Sequence, residues 1–469
     1  MAEKSSLAAM RLSFSAKTSI EISLTQWADY NGRMISLARR VFPLFAALVT
    51  LIAPGAHAQT PLANSFEGAN PPVILISIDA FRPDFLNRGL TPTLSRLAAE
   101  GVVAPQGMRP AFPALTFPSH YTMVTGLNPD HHGIVNNTMT DAAIPGVIFS
   151  LGNRAAVQDR RWWDAATPIW VSAEQQGLRT ATLFWPGSEA AIQGVRPSDW
   201  REFDSNISMD ARVDEVLTWL DRPLATRPAF ITLYFDAVDT AGHRHGPDAE
   251  QTSAAIRSVD AAIKRLREGL DARGRLTSTN LVIVADHGMA ATSPQRLVWL
   301  DEIIDIDAVE RVGNGGPLLG LTPLPGKEAE VTRALMMPHA HVQCWPKAGL
   351  PARFDYGRNP RVPPIVCLAD TGWWLTSHAL FERNPPTGGV SGGAHGFDPD
   401  DPLMAALFIA HGPAFRAGQR LRRFNTVDVY PLLARLLGIK PLANQGNLAT
   451  FSNALIPSGL PTLKSAEGK

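Results

Sequence analysis

An α/β sandwich, with a mostly parallel central sheet between layers of helix, is expected from three features of the sequence. Four runs are apolar almost without a break: Val73 to Ile78, Phe230 to Phe235, Leu281 to Val284 and Leu403 to Ala410. Strands buried on both faces need such runs, whereas a strand with one wet face alternates. Segments of helical periodicity lie between them, the alternation that builds parallel sheets. Acidic residues stand at or just beyond the ends of three runs, as Asp79, Asp239 and Asp286. Open α/β sheets gather their ligands at those strand ends.

Composition permits the core this fold needs, since 45% of the 469 residues are hydrophobic and 18% are charged. The 43 Lys and Arg balance 43 Asp and Glu, so the chain carries no basic field for a nucleic-acid duplex, and any anionic substrate needs local attraction.

Residues 34–58 have the layout of a signal peptide. Arg39-Arg40 supply the positive end, Val41 to Ile52 an apolar stretch too short to span a bilayer, and Ala56-His57-Ala58 a small-x-small cleavage site. Translation is accordingly expected to begin at Met34, with 1–33 a start-site over-call, 59–70 a polar linker and 71–469 one catalytic domain. The protein is expected to be periplasmic or secreted, touching the membrane only through the signal segment; an uncleaved anchor is the alternative. Export allows Cys344 and Cys367 to pair, which would stabilise by roughly 3 kcal/mol. Two separately buried thiols fit the residues equally well. Neither cysteine has the CxxC-type neighbour of a metal site.

Taken along the chain, Val73 to Ile78 is the first core strand. Thr116, in Phe112-Pro113-Ala114-Leu115-Thr116-Phe117-Pro118, opens a helix whose first turn accommodates Pro118. A long amphipathic helix runs from about Glu250 to Leu270, with Ile256, Val259, Ile263, Leu266 and Leu270 on one stripe and Gly274 where it stops. The Pro- and Gly-rich region around 295–385, with strand-like His339 to Trp345, is expected to be an insertion beside the main sheet. Asn425 to Leu433 has the pattern of a capped final helix.

The chemistry lies in short clusters. Asp239 and His243 are four residues apart with Gly242 between them, a spacing that lets a loop fold back round an ion. Asp286 and His287 are adjacent, and His395 lies among glycines that allow close backbone approach. With Asp79 these make three carboxylates and three imidazoles, which together with a hydroxyl is the inventory for two adjacent zinc ions and a covalent nucleophile. Any one of the acids alone is equally a helix cap; three at strand ends point to ligands. Thr116 beside a helix N-terminus is either a nucleophile or a cap. His120, His131, His132, His245, His339, His341, His378 and His411 receive no role.

A resemblance adds to this. Ile78-Asp79-Ala80-Phe81-Arg82-Pro83-Asp84, Thr116-Phe117-Pro118-Ser119-His120-Tyr121, Thr125 to Ile134, Trp185-Pro186-Gly187-Ser188, Asp239-Thr240-Ala241-Gly242-His243, Ala285-Asp286-His287-Gly288-Met289 and His395-Gly396 occur in one order. They resemble the nucleotide pyrophosphatase/phosphodiesterase family of the alkaline phosphatase superfamily, in an exported form of bacterial type, over about residues 73–440. The resemblance implies an alkaline-phosphatase-like fold and two Zn²⁺. Asp239, His243 and His395 would hold one ion, and Asp79, Thr116, Asp286 and His287 the other. It further implies that Asn137 binds a phosphoryl oxygen beside the backbone of Phe117. Ser119 and Val238 depart from the family's usual Asn and Pro, and neither is a ligand.

Two Zn²⁺ against three carboxylates and a threonine alkoxide sum to about zero, which suits a singly charged diester better than a monoester. The implied activity is hydrolysis of nucleotide phosphodiester or pyrophosphate bonds through a phospho-threonine, releasing a nucleoside 5′-monophosphate. Phe117 offers one face to a nucleobase, and Trp200 or Phe203 the other, unless Trp200 packs in the core. A lipid- or choline-directed phosphodiesterase and a phosphomonoesterase share the same metal core. A sulfatase would need a Cys-x-Pro-x-Arg-type phrase, which is absent. The non-enzyme alternative is a zinc-dependent binding protein.

Overall fold

The computed structural model describes residues 70–312, 315–383 and 391–457. The signal segment, most of the linker and the question of the start site lie outside them. Among the described residues no helix is long and apolar enough to cross a membrane.

Twelve strands define the architecture. In chain order they are β1 Val73–Ile78, β2 Val102–Val103, β3 Thr180–Leu183, β4 Asp199–Arg201, β5 Phe230–Phe235, β6 Asn280–Val284, β7 Val309–Val312, β8 Leu318–Pro323, β9 Val342–Pro346, β10 Ile365–Ala369, β11 Phe408–His411 and β12 Gln419–Arg420. Eight form the central sheet, in the order β12-β2-β11-β6-β1-β5-β3-β4. From β6 to β4 all neighbours are parallel, with Ile74 of β1 opposite Ile231 of β5 and Leu281 of β6. Lying mid-sheet, β1 is buried along its whole length, as its unbroken apolar run demands.

The run at 403–410 behaves differently from the other three. Pro402–Met404 forms a helical turn, capped by the Asp401 side chain on the Leu403 N–H. Only Phe408–His411 is a strand, and it is antiparallel to both β6 and β2. An apolar run specifies burial, and strand direction is left to the connection.

Six of the helices are α1 Pro92–Glu100, α2 Thr116–Thr125, α3 Met209–Asp221, α4 Ala237–His245, α5 Glu250–Ala272 and α6 Val429–Leu437. The predicted stripe of α5 is buried, each aliphatic side chain contributing roughly 1.5–3 kcal/mol relative to exposure. Asp260 on α5 accepts the Thr93 and Leu94 N–H groups and so caps α1 from outside it. The chain turns away at Gly274, where φ is +62°. At the C-terminal end, α6 follows a short turn, and Asn425 makes no capping bond. The Asp428 carboxylate accepts instead from the Asn447 N–H and the Thr450 hydroxyl, which fastens the C-terminal segment rather than capping the helix.

The insertion is a four-stranded antiparallel sheet, β7-β8-β10-β9. It has its own apolar cluster, which includes Leu319, Leu321, Val331, Leu335 and Ile365. Cys344 of β9 faces Cys367 of β10, and the two form a disulfide. That decides between the two states open to the cysteines.

Candidate active site

The carboxyl ends of β1, β5 and β6 converge on one point. Asp79 directly follows β1, and its N–H donates to the Phe235 carbonyl of β5. Asp286 and His287 follow β6. Asp239 and His243 lie on α4, immediately beyond β5, rather than in the expected loop. On a helix a spacing of four puts both side chains on one face, which serves an ion as well as a loop would. Gly242 leaves room for Met289, whose Cε would be 3.1 Å from an added Cβ.

His395 arrives from far along the chain. A short antiparallel pairing of Ala290–Ala291 with Gly393–Ala394 draws its loop across α4. Contact is close: a Cβ on Gly392 would lie 2.1 Å from the His243 carbonyl oxygen, and one on Gly393 2.7 Å from that of Gly242. Backbone cannot swing aside as a side chain can. Gly392→Ala is therefore expected to separate His395 from His243 and to lower kcat/KM on the order of 10²-fold, the effect of about 1 Å of misplacement. Steady-state kinetics checks this, and wild-type rates would mean that the loop retreats without moving His395.

The ligand atoms form two adjoining groups. In one, His243 Nε2 is 3.1 Å from His395 Nε2 and 3.3 Å from Asp239 Oδ1. In the other, His287 Nε2 is 2.9 Å from Asp286 Oδ2, 3.4 Å from Thr116 Oγ1 and 3.6 Å from Asp79 Oδ1. The His287 and His395 rings stack at 3.6 Å between the groups. All six predicted ligands and Thr116 are thus brought together.

Their orientation fits cations. His243, His287 and His395 direct Nδ1 at the carbonyl oxygens of Gly393, Gly288 and Ala114, at 2.8, 2.9 and 3.0 Å. An Nδ1–H donated in this way leaves Nε2 as a bare lone pair facing inward. Two such lone pairs 3.1 Å apart repel unless a cation lies between them. Asp79 Oδ1, Asp239 Oδ1 and Asp286 Oδ2 are buried without a hydrogen-bond partner, a costly state for a carboxylate that a metal relieves. Burial, then the charges of Asp286 and Asp239, push the Asp79 carboxyl well above its usual range. Burial also raises Asp239. It acts to raise Asp286 too, but the facing His287 and His120 outweigh it and hold that carboxyl low. Mixed Asp/His groups of this kind can hold metal ions.

Thr116 is the first residue of α2; Leu115 occupies the cap position, and no side chain caps the helix. The Thr116 hydroxyl therefore faces the ligand cluster and not its own helix. The Phe117 N–H donates to Asn137 Oδ1 at 2.9 Å. The amide is thus engaged by the Asn137 carbonyl oxygen, and Asn137 keeps its Nδ2 donors.

A cavity of about 140 Å³ opens beside Thr116, lined by Phe117, Phe184, Trp185, Phe203 and Tyr234 among others. Phe203 is 40% exposed, and its ring meets Phe184 and Tyr234 edge to face. Trp200 does not line the cavity. It lies on β4 beneath the Arg196 guanidinium, 4.5 Å from ring centroid to carbon, so of the two aromatics weighed for the second face only Phe203 reaches the cavity.

Two residues escaped the sequence analysis. His120 is wholly buried; its Nε2 is 2.8 Å from Ser77 Oγ and its Nδ1 2.8 Å from the Thr116 carbonyl oxygen. The signal available was its place one helical turn after Thr116. Tyr234 donates its hydroxyl to Asp79 Oδ2 at 2.5 Å, and only strand register reveals that.

Residues 73–398 match the profile of type I phosphodiesterase / nucleotide pyrophosphatase. The chain is 35% identical over 446 residues to an uncharacterized pyrophosphatase/phosphodiesterase of Schizosaccharomyces pombe, covering 92% of this chain and 90% of that one. It is 34% identical over 394 residues to ectonucleotide pyrophosphatase/phosphodiesterase family member 3 of Bos taurus, covering 82% of this chain but 44% of the longer relative. Murine ectonucleotide pyrophosphatase/phosphodiesterase 5, solved as an inactive threonine-to-alanine form in complex with AMP, superposes with a TM-score of 0.77 at 30% identity. That match covers 82% of this chain and all of the murine one.

Proposed function

Because the chain belongs to the type I phosphodiesterase / nucleotide pyrophosphatase family, a family of hydrolases, we propose that it cleaves phosphodiester or pyrophosphate bonds in nucleotides and related diesters through a phospho-threonine. The product is a nucleoside 5′-monophosphate. One observation carries this: Thr116 Oγ1 stands at the junction of the Asp/His cluster and the aromatic cavity. The murine neighbour supports it, being inactive as a threonine-to-alanine form and found with AMP.

Asp239, His243 and His395 would hold one Zn²⁺, and Asp79, Thr116, Asp286 and His287 the second; mixed Asp/His ligation suits zinc. When bound, the ions supply Lewis-acid charge that acidifies the threonine hydroxyl and stabilises the attacking and leaving oxygens. The N-terminus of α2 adds its dipole in the same sense. Thr116 Oγ1 gives its proton to solvent and attacks phosphorus, the bond to the leaving oxygen breaks in line with it and that oxygen takes a proton from solvent, and Asn137 Nδ2 donates to an equatorial oxygen. Water then hydrolyses the threonyl phosphate and returns a proton to Oγ1. Phe117 and Phe203 sandwich the base, a contact that tolerates different bases. The signal-like segment supports export to the periplasm or beyond.

The test compares the p-nitrophenyl ester of thymidine 5′-monophosphate with p-nitrophenyl phosphate. The diester is expected to be strongly preferred. Phe203→Ala is expected to raise the diester's KM roughly 5- to 100-fold, the equivalent of one stacking contact, with Trp200→Ala leaving it unchanged. Preference for the monoester would sink the diesterase assignment.

A further inference from the structure

We propose that Tyr234 is a positioning residue that fixes Asp79 as a single-oxygen ligand and so ties the nucleotide cavity to the metal site. This rests on the zinc-dependent hydrolase assignment above. Tyr234 is the last residue but one of β5 and lies directly across from Ser77 of β1, two residues before Asp79. Successive strand side chains point to opposite faces, so its neighbours Leu233 and Phe235 enter the core while its ring forms part of the cavity wall.

The hydroxyl donates to Asp79 Oδ2 at 2.5 Å, the length of a strong bond to a charged acceptor. Oδ1 of the same carboxylate is left buried and unpartnered, turned toward His287 Nε2 at 3.6 Å. A carboxylate with both oxygens free can bind an ion through one or both and can rotate between them. With Oδ2 tethered, one oxygen faces the ion in one direction.

The tether is itself anchored. Buried Arg212 donates to the Tyr234 carbonyl at 3.0 Å, to Asp236 Oδ1 at 2.8 Å and to the Ile207 carbonyl at 2.9 Å. Asp236 immediately precedes α4, which carries Asp239 and His243. Ile207 belongs to the segment that follows Phe203. One guanidinium thus holds the tyrosine, the entry to the ligand helix and the chain beyond the cavity rim in a common frame. The aromatic ring contributes to the cavity and the hydroxyl to the ligand, so the two roles separate in a single substitution.

Tyr234→Phe keeps the ring and deletes the hydroxyl. Competition for Zn²⁺ against a chromophoric chelator is expected to show metal held 10- to 100-fold less tightly, the usual cost of losing a partner that orients a ligand. At saturating zinc the KM for the thymidine diester and the affinity for AMP should match wild type, because the ring remains, whereas at limiting zinc kcat should fall and should recover on adding excess. Tyr234→Leu, which also removes the ring, should raise KM as well. Wild-type zinc retention in Tyr234→Phe would overturn the proposal, as would a raised KM with zinc retention intact. Wild-type protein that neither binds zinc nor cleaves the diester would instead remove the functional assignment beneath it.

Discussion

Thr116→Ala is expected to lower kcat/KM for a phosphodiester by at least about 10³-fold, since removing a covalent nucleophile commonly costs that much or more. The fold itself should be spared. Thr116 caps no helix, because Leu115 holds that position, and the contact its hydroxyl makes is the 3.4 Å approach to His287. Truncation should therefore cost no more than about 1 kcal/mol of stability; zinc, which loses Thr116 as a ligand but keeps Asp79, Asp286 and His287, should be held at excess metal, and AMP affinity measured there should stay intact. Acid quenching during turnover of a ³²P-labelled diester should trap label on wild-type protein and none on the variant. Thr116→Ser, which keeps a hydroxyl at the same place, should recover much of the rate. An alanine variant retaining a tenth of wild-type activity would mean that water attacks the substrate directly, and the covalent step would be abandoned.

How far the sequence reached depended on whether the physics was local. Asp79 and Asp286 were legible because a buried run followed by an acid is a local pattern, and the sheet places that pattern at one edge. The glycines around His395 were legible for a related reason. Their value lies in the missing Cβ, and the 2.1 Å approach at Gly392 is the contact their presence implied. Direction and partnership were not local. Nothing in Phe408–His411 says that it runs antiparallel, because its apolar faces look the same either way. Asp239 and His243 share a face in a helix or a tight loop alike, so spacing did not choose between them. Trp200 and Phe203 are both aromatic and three residues apart; only the pairing of β4 with β3 sends one under Arg196 and the other to the cavity. The roles of His120 and Tyr234 could not be read, because their partners, Ser77 and Asp79, lie 43 and 155 residues away.

Removing the metal is expected to abolish hydrolysis and to destabilise the fold, more at pH 8 than at pH 5. Free zinc at 1,000 times its dissociation constant stabilises by about 4 kcal/mol through mass action alone, and that is lost on chelation. The pH dependence follows from what remains. In the metal-free chain, burial and then the neighbouring Asp286 and Asp239 raise Asp79, and burial raises Asp239. A group whose folded pKa exceeds its unfolded value of about 4 stabilises the fold while protonated and loses that contribution as pH rises through the folded value. The stripped protein should therefore weaken from mildly acid pH upward. Asp286 stands outside this trend, since His287 and His120 already hold it low. Bound zinc reverses the preference by favouring the ionised carboxylates, so the gap between loaded and stripped melting temperatures should widen with pH. Thermal melts with and without chelator at pH 5 and 8 measure that gap directly. A gap that is constant across pH would mean that Asp79 and Asp239 do not face the ion, whatever their spacing; a gap that widens, closed by added zinc together with the return of diester hydrolysis, would locate the ion beside them.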